Sequence, residues 1–73
     1  MEQNQEPISY HGYLDLVRLA HDAHPQWRAG QALFNVLHRI RPDLSERVRA
    51  TKLDPFNRDT RNPAFLNFVK ENW

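Results

Sequence analysis

Three properties of this 73-residue chain predict an all-α domain. Apolar residues recur at i, i+3, i+4 and i+7 in separate segments, none alternates with the period of two that a strand requires, and prolines mark the breaks between them. The expected architecture is a small bundle of three main helices, at about 9–23, 25–40 and 62–72, with one short helix at about 43–51. Residues 1–7 are polar, end in Pro7 and read as a flexible tail, leaving 8–73 as a single helical domain.

In the first helix Ser9 is the expected N-cap. His11, Asp15, Arg18 and Asp22 share one narrow stripe, whereas Tyr10, Tyr13, Leu14, Leu16, Val17, Leu19, Ala20 and Ala23 cover more than half the circumference. An apolar arc that wide is either central in its own fold or shared with a partner. His24-Pro25 breaks this helix and supplies a first-turn proline for the next. There Trp27, Gly30, Leu33, Phe34, Leu37 and Ile40 form the apolar ladder, and Gly30 on it implies close approach of a neighbouring helix. Pro42 ends the second helix, and Asp43 with Glu46 forms a capping box for the short third one. Its thin apolar side, Leu44, Val48 and Thr51, places it on the surface of a core made by others. Residues 52–61 read as a loop pinned by Leu53 and Phe56. Asn62-Pro63 repeats the start signal for a last helix carrying Phe65, Leu66, Phe68, Val69 and Trp73.

Composition narrows the chemistry. With no cysteine there is neither a disulfide framework nor a thiolate metal site, and the expected compartment is a reducing cytoplasm. No apolar run reaches the length of a membrane span, in line with a mean hydropathy of −0.81. His21 and His24, spaced i, i+3, with His11 nearby, lack the further ligands of a zinc site and read as helix-end histidines. Ser9 and Ser45 lie in no nucleophile elbow, the acids are dispersed, and no glycine-rich phosphate loop is present. The expectation is therefore no enzyme, no metal and no cofactor.

Charge is uneven. Residues 1–24 carry a balance of −3 and residues 39–61 one of +3, and eight of the ten basic residues are arginine, the side chain suited to bidentate pairing at interfaces. Arg28, Gln31, Asn35, His38 and Arg39 line the polar face of the second helix and are the expected contacts for a protein partner. The alternative is a helix-turn-helix-like DNA-binding regulator using the basic segment 39–61, with Arg41, Arg47, Arg49 and Lys52 as contacts and Ser45 entering the groove. Four interspersed acids and a net charge of only +1 weigh against it.

Trp27-Arg28, Gly30-Gln31, Phe34-Asn35, Arg41-Pro42-Asp43-Leu44 and Asp54-Pro55-Phe56 form a spaced pattern that resembles a segment of short uncharacterised bacterial and prophage-borne proteins. The resemblance implies a bacterial or phage origin and carries no particular activity over to this chain. The residues themselves point to a cytoplasmic module that acts by protein–protein contact. A homodimer through Tyr10, Tyr13, Leu14 and Val17 is one way to cover the wide arc; wrapping by the other helices is the other.

Overall fold

The computed structural model describes residues 8–73, so the expected tail at 1–7 lies outside the described residues. Four α-helices follow one another: α1 (Tyr10–Ala23), α2 (Ala29–Ile40), α3 (Pro42–Val48) and α4 (Asn62–Asn72), with a 3-10 turn at Asp59–Arg61 leading into α4. Among the described residues there is no strand, and no helix is long and apolar enough to cross a membrane.

α1 starts where Ser9 caps it, the Gly12 amide donating to Ser9 Oγ at 3.0 Å. α2 starts four residues later than the Pro25 signal suggests. The Trp27 amide donates to the His24 carbonyl, and the Trp27 ring stacks on His24 at 4.0 Å, so 24–28 is a turn. The Arg28 amide then donates to Gln31 Oε1 at 2.8 Å, closing the first turn from its polar side. Trp27 is consequently half-buried in the turn and is not part of the helical ladder.

The short helix also differs from expectation. Pro42 is its first residue, not merely the stop of α2, and the expected Asp43 cap is absent because that carboxylate pairs with Arg41. It ends at Val48, and Ala50 turns the chain with φ of 60°. Leu44 and Val48 are fully enclosed, so α3 contributes to the core and does not simply lie upon it. Asn62 lies inside α4, and its side chain makes no cap.

Tyr13, Leu33, Phe34, Val36, Leu37, Leu44, Val48, Phe65 and Val69 form the core, drawn from all four helices. Trp73 closes it at one end, 5.3 Å from the Tyr13 ring and 6.2 Å from Tyr10, with its indole N–H donating to the Ile8 carbonyl at 2.8 Å. The part of the wide α1 arc that carries Tyr10, Tyr13, Leu14 and Val17 is thus covered from within. Tyr13 is 0% exposed and donates its hydroxyl to the Leu33 carbonyl at 2.6 Å; burial, reinforced by neighbouring Tyr10, pushes its phenol far up. Tyr10, Leu14 and Val17 pack against the same core, so the face expected to meet a second copy is spent on intramolecular packing.

Candidate functional site

Each side chain proposed from sequence as a polar contact on α2 has a position that can be checked. Arg28 reaches across to the 54–59 loop, donating to the Phe56 carbonyl and lying 3.7 Å from Asp59 Oδ1. Gln31 is occupied at the start of its own helix. His38 stacks on Phe34 and approaches Ser45 Oγ at 2.9 Å. Because the Ser45 hydroxyl donates to the Pro42 carbonyl, its oxygen accepts from His38 Nδ1–H, which joins α2 to α3. These three side chains therefore hold the fold together. Only Asn35 and Arg39 point outward without an ion pair or side-chain hydrogen bond among the described residues.

The basic segment is similarly committed. Arg41 pairs with Asp43 at 3.0 Å, lies over the Trp73 ring and donates to the Trp73 carbonyl. This pairing holds the Asp43 carboxyl below its ordinary range and Arg41 above. Arg47 lies over Phe68 and donates to Asn72, and Arg49, beyond the end of α3, pairs with Glu46. Ser45 is fully buried, so it cannot enter a nucleic-acid groove or serve as an accessible nucleophile. Lys52 is exposed in the turn after α3. Spread over a seven-residue helix and its turns, these cations form no recognition helix.

What the fold leaves open is apolar. On α1, Leu16 is 36% and Leu19 63% exposed. Together with Ala20 they form one wall of a groove of about 450 Å³ whose other wall is Val36, Arg39 and Ile40 of α2. The groove exists because α1 carries more apolar surface than the core can take: Tyr10, Tyr13 and Val17 turn inward, and Leu16 and Leu19 remain outside. Arg39 stands on the α2 lip. Along α1, Asp15 and Asp22 flank Leu19 at i−4 and i+3, with Asp15 held by Arg18 at 3.3 Å.

Sequence reasoning noticed Leu16 and Leu19 as part of the wide arc but singled out other residues of it. The helical wheel identifies an excess of apolar surface; only the position of Trp73 and α2 decides which part stays uncovered. His21 and His24 are both engaged around the 24–28 turn, His21 Nε2 lying 2.9 Å from the Trp27 carbonyl and His24 against the Trp27 ring.

Comparison with protein-family models, curated proteins and solved structures gives no match to this chain.

Proposed function

We propose that this protein is a small non-enzymatic interaction module that works in the cytoplasm by protein–protein contact, using the α1–α2 groove as its contact face. The supporting observation is the continuity of Leu16, Leu19, Ala20, Val36 and Ile40 in one open depression, with Leu19 the most exposed large apolar residue described. Scattered surface leucines are ordinary, whereas apolar residues lining one concave feature beside a charged lip are characteristic of contact sites. The polar face of α2 contributes to this reading only through Arg39, since Arg28, Gln31 and His38 are engaged internally. The DNA-binding alternative draws less support, because Arg41, Arg47 and Arg49 are paired within the chain.

Affinity capture from a bacterial lysate, with wild type and Leu19→Glu in parallel and each with and without nuclease, tests the reading. A protein that co-purifies with wild type, resists nuclease and is lost with the variant supports it. Recovery of nucleic acid, or a protein retained equally by both baits, overturns it.

A further inference from the structure

The interaction reading leaves open what fills the groove, and the inference here rests on that reading. We propose that the occupant is an acidic amphipathic helix of a partner protein, whose apolar face lies between α1 and α2 and whose carboxylate, beside that face, pairs with Arg39.

The form of the occupant follows from the walls. Leu16, Leu19 and Ala20 lie inside α1, and Val36, Arg39 and Ile40 in the second half of α2, so both walls present helix side chains. Among the described residues there is no strand and hence no strand edge. An extended segment laid in the groove would find no row of backbone donors and acceptors, and its own polar groups would go unmet against apolar side chains. A helix bonds its own main chain and offers a side-chain stripe instead, as a third helix does against the furrow between two others. The groove of about 450 Å³ has the room of roughly fifteen water-sized groups, or about three leucine side chains. Apolar residues at i, i+3 and i+7 of one helix supply that bulk over about 10 Å of axis.

Charge fixes the sign of the partner. Arg39 is the single charged residue of the lining. Six of the eight arginines are engaged within the chain, Arg18 by Asp15, Arg28 by the Phe56 carbonyl, Arg41 by Asp43, Arg47 by Asn72, Arg49 by Glu46 and Arg61 by the Thr51 and Asp54 carbonyls. Of the other two, only Arg39 belongs to the groove. It is exposed and has no ion pair or aromatic partner among the described residues, and α2 itself contains no acid. A guanidinium left open at the edge of an apolar depression selects a carboxylate beside the apolar stripe, which it can hold through two parallel hydrogen bonds. A helix with a basic residue at that place would set like charges together.

Area sets the strength. The six lining residues, Val36 among them almost enclosed, make a face well below the roughly 800 Å² per side of a standard interface. A single docked helix is correspondingly weak, with a Kd on the order of 10 µM.

Selection from a phage library of 14-residue helical peptides against the immobilised full chain, with Leu19→Glu as the depleting bait, is the test. The expected result is enrichment of peptides with apolar residues at i, i+3 or i+4 and i+7 and with Asp or Glu at one fixed offset. Titration of such a peptide should shift the amides of Leu16, Leu19, Val36, Arg39 and Ile40. Arg39→Glu, at an unchanged melting temperature, should weaken this peptide about tenfold, and selection on that variant should enrich Lys or Arg at the same offset. Enriched peptides without a preferred acid, or bound equally by Arg39→Glu, overturn the charge pairing. Groove amides that move with protein concentration alone assign the site to a second copy, and ones that move with sodium decanoate but with no peptide assign it to a small amphiphile; either overturns the helix. If no peptide is enriched while a lysate protein is captured and lost with Leu19→Glu, the helix is overturned and the groove remains the contact face. Peptides that bind, survive Leu19→Glu and shift amides elsewhere overturn both.

Discussion

The Asp59 carboxylate accepts the backbone N–H of Gly30 at 2.9 Å, so a residue 29 positions away satisfies one of the free amides at the start of α2. The negative charge also sits at the positive end of the helix, close to Arg28. Replacing Asp59 with alanine should cost about 1 kcal/mol, the usual loss for an N-terminal acceptor, measured as a lower urea midpoint. Gly30→Ala should cost more, about 2–3 kcal/mol, because the added Cβ would stand 2.1 Å from the Pro55 carbonyl oxygen and the loop backbone must move.

Alkaline stability depends on Tyr13. Its folded-state phenol is raised by burial, so the native chain retains a proton that the unfolded chain releases above about pH 10. Stability is complete below that pH and should fall by about 1.4 kcal/mol per pH unit above it. Tyr13→Phe should flatten most of this dependence, leaving a smaller slope from Tyr10, at a cost near neutrality of about 1 kcal/mol for the lost hydrogen bond to Leu33. Thermal melts of both proteins between pH 8 and 11 check the two slopes.

At the acid end, the Asp43 carboxyl is lowered by its hydrogen bonds to Arg41. The stability this pair adds is present above the ordinary aspartate pKa, about 4, and is lost as pH falls through the lower folded-state value. Asp43→Asn should reduce the acid dependence of the melting temperature below pH 4 and leave its alkaline branch unchanged.

Ala50 adopts a left-handed conformation that a side chain disfavours, and its amide donates to Asp54 Oδ2 at 2.7 Å. Ala50→Gly removes the Cβ conflict and keeps the amide, so it should stabilise the fold by about 0.5–1 kcal/mol. An unchanged or lower melting temperature is the contrary result.

Truncation after Arg61 should abolish cooperative melting, since Phe65 and Val69 are fully buried. The milder Trp73→Ala should cost about 2–3 kcal/mol by removing the lid over Tyr10 and Tyr13. Circular dichroism melts separate the two outcomes.

How much of this was legible in the sequence varies with the range of the interaction involved. Ser9 as a cap, the Pro63 start signal and the apolar positions of α2 and α4 are local, and the structure follows them. The start of α2 is not local: Pro25 offers an earlier first turn, but Asp59 and the Arg28 contact with the 54–59 loop support a start at Ala29. Gly30 signals close approach correctly, yet what approaches is the Pro55 carbonyl of that loop and not a helix. Polarity marked Arg28 and His38 as free for a partner, because the Phe56 carbonyl and Ser45 Oγ that engage them come from residues that no periodicity connects to them, whereas Gln31 accepts locally from the Arg28 amide three residues earlier. For the candidate site, the excess of apolar residues on α1 was visible and its location at Leu16 and Leu19 was not, since that depends on which side Trp73 and α2 cover.

The Trp73 indole, hydrogen-bonded to the Ile8 carbonyl 65 residues away, has a mechanical consequence. Force applied at the two ends of the folded region is carried first by this one ring, its contacts with Tyr10 and Tyr13, and the Arg41 side chain above it. The α1–α2 hairpin bears no load until that clasp opens. Pulled in this direction, the domain should resist with a single early force peak and then peel from its C-terminal helix, the groove being the last feature to come apart.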